Sequence, residues 1–168
     1  MDLPGRREQI LKFITANPGY HFRGLQRELK LSTGVLQYHV YNLLKDGDII
    51  KREIGGTVCF FPVRGFTEEQ VVILGHLRNR VRNKILQSLL GGEIKSPFEL
   101  KKSAATSSST LSYHLSVLLH DNIIERVTTE RNVGYKIKNP ELLKGLILSY
   151  KESFTEKLIR DFIELWSQ

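Results

Sequence analysis

Residues 36–49 read Leu36-Gln37-Tyr38-His39-Val40-Tyr41-Asn42-Leu43-Leu44-Lys45-Asp46-Gly47-Asp48-Ile49, and residues 111–124 read Leu111-Ser112-Tyr113-His114-Leu115-Ser116-Val117-Leu118-Leu119-His120-Asp121-Asn122-Ile123-Ile124. Set 75 positions apart, the two stretches share Leu36/Leu111, Tyr38/Tyr113, His39/His114, Leu43/Leu118, Leu44/Leu119, Asp46/Asp121 and Ile49/Ile124. The same offset carries the match back without a gap through Leu25/Leu100, Leu11/Leu86 and Ile10/Ile85 to Arg7/Arg82. Most shared positions are apolar and helically spaced, so they read as the common core of two copies of one fold.

Each copy predicts the same order of elements. Arg6–Ala16 is a first helix with Ile10, Leu11 and Ile14 inward, stopped by Asn17-Pro18-Gly19. Phe22–Leu29 is a short second helix, and after a tight turn Ser32 or Thr33 caps a third helix running to Lys45. Leu36, Val40, Leu43 and Leu44 form its inner stripe. Asp48–Ile54 and Thr57–Val63 are rich in β-branched and aromatic residues around Gly55-Gly56, a hairpin signal. In the second copy the helices fall at Asn79–Leu90, Phe98–Ser103 (after a Ser96-Pro97 start) and Ser108–His120, with Ser107 or Ser108 as cap. Strands Ile123–Thr128 and Val133–Ile137 flank a four-residue turn. Helix, helix, turn, helix, hairpin is the order of a winged helix.

Between the copies, Thr67-x-x-Gln70 has capping-box spacing. The apolar series Val71, Leu74, Leu77, Val81, Ile85, Leu89 then predicts one continuous helix of about 23 residues and about 35 Å, with Gly75 a place for a bend. Pro140 opens a long amphipathic helix carrying Leu143, Leu146, Ile147, Tyr150, Phe154, Leu158, Phe162, Leu165 and Trp166. The expected fold class is mainly α with small β-wings (α+β): two tandem winged-helix units joined by a helix, plus a C-terminal amphipathic helix. The expected domains are 1–65, a connecting helix 66–78, a second unit 79–139, and a C-terminal helix 140–168 for packing or dimerisation.

Net charge is +7 over 168 residues, with a pI near 9.6. Residues 1–64 and 65–139 each carry +4, and 140–168 carry −1. A cationic surplus on both copies suits a polyanion. No apolar run is long enough to span a membrane, and the N-terminus lacks a secretory core. The single cysteine, Cys59, lies in the apolar strand Val58-Cys59-Phe60-Phe61, permits no internal disulfide, and reads as a buried core residue of a cytoplasmic protein.

The strings Leu36-Gln37-Tyr38-His39-Val40 and Leu111-Ser112-Tyr113-His114-Leu115, each followed by a Leu-Leu pair, resemble the recognition-helix signature of ArsR/MarR-like winged-helix regulators. They are most similar to the archaeal versions, in which a Tyr-His-Leu core is common. The resemblance implies a transcriptional regulator that binds double-stranded DNA with each third helix in the major groove. ArsR-type metal sensing needs thiolate or histidine clusters, which one cysteine and five dispersed histidines do not supply, so neither metal nor cofactor is expected. Gly47 is matched by Asn122, both residue types that accept a left-handed helix end.

With the Leu/Val stripe inward, Thr33, Gly34, Gln37, Tyr38 and Tyr41 face outward. Gln37 can pair bidentately with adenine, and the tyrosines offer a hydroxyl to phosphate or a ring edge to a thymine methyl. Their counterparts are Ser108, Ser109, Ser112, Tyr113 and Ser116, with less reach, so the first unit is expected to supply more of the sequence readout. Lys51, Arg52, Arg126 and Arg131 in the wings, and Arg23, Arg27, Lys101 and Lys102 on the second helices, are placed to grip phosphates. The run Arg78, Arg80, Arg82, Lys84 reads as a wet helix face, available to DNA running between the units. His39 and His114 read as rings sealing the core edge.

No P-loop, dinucleotide-binding glycine motif, zinc spacing or nucleophile beside a base is present, so no enzyme is expected. The competing class is a tandem winged-helix scaffold for protein partners, against which the polar third helices and cationic wings weigh. Homodimerisation through the C-terminal helix and contact with transcription machinery stay open as partners beside DNA.

Overall fold

A computed structural model describes residues 5–154. These divide into two compact units, one of residues 5–71 with 150–154, the other Val72–Ser149. The boundary falls inside a helix, so its second half counts with the second unit and not with a separate connecting segment 66–78.

In the first unit, α1 (Arg6–Ala16) buries Ile10 and Ile14 and ends where Asn17 leaves helical geometry ahead of Pro18. α2 (Phe22–Leu29) is capped by a side chain the sequence reading did not foresee: His21 Nδ1 accepts from Gly24 N at 3.0 Å. α3 (Thr33–Lys45) is capped by Ser32, which accepts from Val35 N. Three strands complete the unit: β1 (Tyr20–His21), β2 (Ile49–Ile54) and β3 (Thr57–Pro62), in the order β1-β3-β2, all antiparallel. Gly55 and Gly56 turn the hairpin with φ of 55° and 77°, a conformation that costs glycine little and other residues more. Strand β1 was not expected; two residues lie below the length at which alternation is legible. Ile10, Ile14, Leu25, Leu36, Leu43 and Ile49 pack with Tyr20 and Phe60 into one core. A buried leucine of this kind contributes about 1.5–3 kcal/mol.

The second unit holds α5 (Arg80–Leu89), α6 (Pro97–Ala104), α7 (Ser108–His120), β4 (Ile124–Thr128) and β5 (Val133–Ile137). Ser96 and Glu99 form a reciprocal capping box on α6, and Ser107 caps α7 by accepting from Thr110 N at 3.2 Å. The register repeats the offset of the sequence. Tyr20 pairs with Phe60 and Lys95 with Tyr135; Ile49 pairs with Pro62 and Ile124 with Ile137. The helix ends agree as well: Lys30 and Ala105, each closing its helix, have φ of 52° and 50°, and Gly47 and Asn122 have φ of 76° and 58°.

Two expected helices are shorter than their hydrophobic periods. The series from Val71 to Leu89 is not one helix: α4 (Glu68–Leu77) stops and α5 begins after Asn79. Asn79 takes an extended backbone and accepts from Val81 N and Arg82 N, both at 3.1 Å, while Asn83 Nδ2 donates to Leu77 O at 2.8 Å. A side chain that caps offers the backbone an alternative to continuing. The bend expected at Gly75 is thus a break four residues later. The capping box at the start of α4 forms between Thr67 and Gln70. At the other end α8 (Pro140–Ser149) closes at a turn on Tyr150, and helical geometry resumes at 151–154. Leu158, Phe162, Leu165 and Trp166 lie outside the described residues.

Candidate nucleic-acid interface

The fold orients α3 by its Leu36–Val40–Leu43 stripe, which is buried, and so presents the opposite face to solvent. Thr33, Gly34, Gln37, Tyr38 and Tyr41 are all exposed, the two tyrosines by 58% and 63%. Gln26 Nε2 donates to Thr33 Oγ1 at 2.9 Å and ties α2 to the first turn of α3. Gly34 has no internal reason to be glycine: its φ is not positive, and a Cβ there would meet nothing within 4 Å. Beside this face, Arg23 and Arg27 stand exposed on α2.

On the wing, Lys51 is exposed, whereas Arg52 is held. Its Nε pairs with Glu68 at 3.1 Å and its Nη1 donates to Lys51 O at 3.0 Å. A phosphate would have to compete with that carboxylate, although an exposed pair is worth at most about 1 kcal/mol.

In the second unit Ser108, Ser109, Ser112, Tyr113 and Ser116 are also exposed. Two of these hydroxyls are already engaged. Ser116 Oγ donates to Tyr113 O at 2.7 Å, and Ser109 Oγ lies 3.2 Å from the capping Ser107 Oγ. Lys101, Lys102, Arg126 and Arg131 are exposed, Arg131 at the hairpin turn where Thr129 and Asn132 close on each other.

The expectation for the basic run fails at two of four positions. Arg78 and Arg82 are buried, with relative exposures of 5% and 3%, Lys84 is half-buried, and only Arg80 is exposed. With two of the four buried and one half-buried, these side chains do not form a continuous wet face. Arg82 shares its surroundings with His76, His114 and Asp121. His76, fully buried, lies 2.8 Å from Asp121 Oδ2 through Nε2, and His120 Nδ1 lies 2.9 Å from Asp121 Oδ1. Burial first, then the charge of Arg82, lowers the His76 pKa to about 4 against the opposing pull of Asp121. The Asp121 carboxyl is itself held low: burial opposes this, but bonds and charge from His120 and His76 outweigh it. His114 is likewise pushed down by burial and Arg82. The first unit handles the equivalent corner with an exposed pair of bonds, Arg7 to Asp46 at 2.8 Å and to Asp48 at 2.6 Å.

The sequence reading missed this histidine–aspartate cluster. A signal was present: Arg7/Arg82 and Asp46/Asp121 repeat together, which is what co-packed charges do. His39 and His114 are both buried, each edge-on to the preceding tyrosine at 5.2 and 5.1 Å between centroids. Cys59 is buried.

Residues 4–73 match the family model HTH_HVO_0163_N, N-terminal HTH domain. Over 141 residues the chain is 28% identical to the "Uncharacterized HTH-type transcriptional regulator MJ1398" of Methanocaldococcus jannaschii, covering 82% of this chain and 34% of that protein. The chain therefore spans about a third of the length of this curated relative. Among solved structures, HlyU from Vibrio cholerae N16961 aligns with 29% identity and a TM-score of 0.43, over 49% of this chain and 89% of that one.

Proposed function

We propose that this chain is a sequence-specific, double-stranded-DNA-binding transcriptional regulator with two winged helix-turn-helix units in tandem, of the ArsR/MarR-like kind its α3 and α7 strings resemble. The observation that carries the reading is α3: a serine-capped helix, anchored by a leucine stripe, whose opposite face shows Gln37, Tyr38 and Tyr41 beside a glycine that the protein itself does not need. The match of residues 4–73 to an HTH domain and the naming of the archaeal relative support it. In this reading α3 and α7 enter the major groove, Lys51, Arg126 and Arg131 hold phosphates, and Arg23, Arg27, Lys101 and Lys102 clamp the backbone across the groove.

The two units contribute unequally. Gln37 reaches an adenine edge, whereas the second unit offers hydroxyls, two of them engaged within the protein. Selection from random duplexes followed by fluorescence anisotropy tests the proposal. Seven phosphate contacts, one for each of the Lys and Arg side chains just named, would cut affinity by about a thousandfold to ten-thousandfold between 50 and 200 mM salt. No duplex binding at low ionic strength refutes it.

One observation favours the scaffold reading for the second unit. Phe98 is 76% exposed and stands, at the repeat offset, where the first unit has Arg23. Unimpaired duplex binding by a Lys101→Ala, Lys102→Ala double variant would assign that face to a protein partner.

A further inference from the structure

The outward side of α3 is not polar throughout. A recess of about 400 Å³ opens beside it, lined by Phe22 from the start of α2 and by Thr33, Gln37, Val40, Tyr41 and Leu44. Val40 belongs to the first-unit core, Phe22 and Leu44 pack against it, and the exposed Tyr41 forms the lip. Thr33 and Gln37 supply the polar lining, and Thr33 already accepts from Gln26. An amide able to address adenine therefore borders an apolar surface open to solvent, one helical turn along α3 from Tyr41. At the repeat offset the lining becomes Pro97, Ser108, Ser112, Leu115, Ser116 and Leu119, with both aromatic rings gone.

We infer that this recess takes the C5-methyl edges of thymines beside the adenine addressed by Gln37, so that the first unit reads A·T steps through buried methyls as well as through an amide. The inference rests on the DNA-facing reading of α3. The thymine methyl is the apolar group that base pairs present in the major groove, and the recess is continuous with the Gln37–Tyr38–Tyr41 face that would enter it. Its volume exceeds one methyl, and successive pairs rise about 3.4 Å, so neighbouring thymines fit along one turn of helix. The cationic first unit suits a duplex better than it suits a neutral apolar molecule.

The test uses the full chain and a duplex selected from random sequence, with each dT replaced singly by dU, which removes the methyl and keeps the pairing. At one or two positions the affinity is expected to fall about threefold to fivefold, the weight of one buried carbon. Tyr41→Ser, which installs the residue of the second unit at an exposed site, should bind dT and dU duplexes alike while its circular dichroism stays unchanged. A duplex bound with steep salt dependence but indifferent to every dU overturns the inference and leaves the DNA reading standing, with a small apolar molecule as the remaining occupant. Absence of binding to any duplex overturns both.

Discussion

Gly34 is a glycine that the fold itself does not require. It sits in the first turn of α3 with ordinary helical backbone and open space where a Cβ would go. Glycine there costs the helix up to about 1 kcal/mol relative to alanine. Gly34→Ala is therefore expected to raise stability by roughly that amount in urea denaturation and, on the proposed DNA-facing role of α3, to weaken duplex binding by about tenfold, because the added methyl would stand where a DNA backbone or base edge is proposed to approach. Equal or improved binding by the alanine variant would remove the case for close approach. Gln37 makes the complementary prediction. Gln37→Ala should lose about 1–3 kcal/mol of discrimination against a changed base pair, while Ser112→Ala loses under about half of that. Equal losses in anisotropy titrations would contradict the unequal roles of the two units.

Among elements, the α4–α5 break shows a local bond overriding a global pattern. Apolar residues recur at helical spacing from Val71 to Leu89, and burial by itself would tolerate an unbroken helix. Asn79 accepts two backbone hydrogens instead and ends it. Asn79→Ala is expected to destabilise the second unit by about 1 kcal/mol, the usual worth of such a cap, with the loss read as earlier hydrogen exchange in Val81–Ile85 than in α3. Uniform exchange across both helices would show that the cap carries no weight. The sequence narrowed the caps of α3 and α7 to Ser32 or Thr33 and Ser107 or Ser108, because these precede runs of helical periodicity, and the fold uses Ser32 and Ser107. The cap by His21 was not, since histidine is an unusual acceptor there and only the position of Gly24 N brings it into use.

For the molecule as a whole, the two units share a design and are expected to differ in their response to acid. The unfolded pKa of a histidine is near 6.5, and in the fold His76 is lowered to about 4. A lowered histidine favours its neutral form in the native state, so its contribution is complete above pH 6.5 and is lost as pH falls toward 4. The second unit is expected to lose stability across that window, through His76 with His114 in the same direction, whereas the first unit has Arg7 with Asp46 and Asp48 in the corresponding corner. Hydrogen exchange at pH 7 and pH 5 should show α5 and α7 losing protection before α1 and α3. His76→Gln should flatten the difference. Parallel loss in both units, or an unaltered profile in the variant, would refute this.

The sequence by itself determined the order of the longer elements and the buried stripes of α3 and α7. Leucines at fixed spacing can be buried in only one helical orientation, while caps and breakers set the ends, so α1, α2, α3 and α7 span the expected residues and Thr33, Gln37, Tyr38, Tyr41, Ser108, Ser109, Ser112, Tyr113 and Ser116 lie on the surface. Tertiary structure decided what depends on distance in space and not on spacing in sequence. It placed two arginines of an outwardly polar run inside the protein, paired His76 with Asp121 across 45 residues, tied Arg52 to Glu68, and added the two-residue strand β1. His76, Arg52 and β1 each find a partner on a distant element, and a charged or polar side chain goes where such a partner offsets its desolvation.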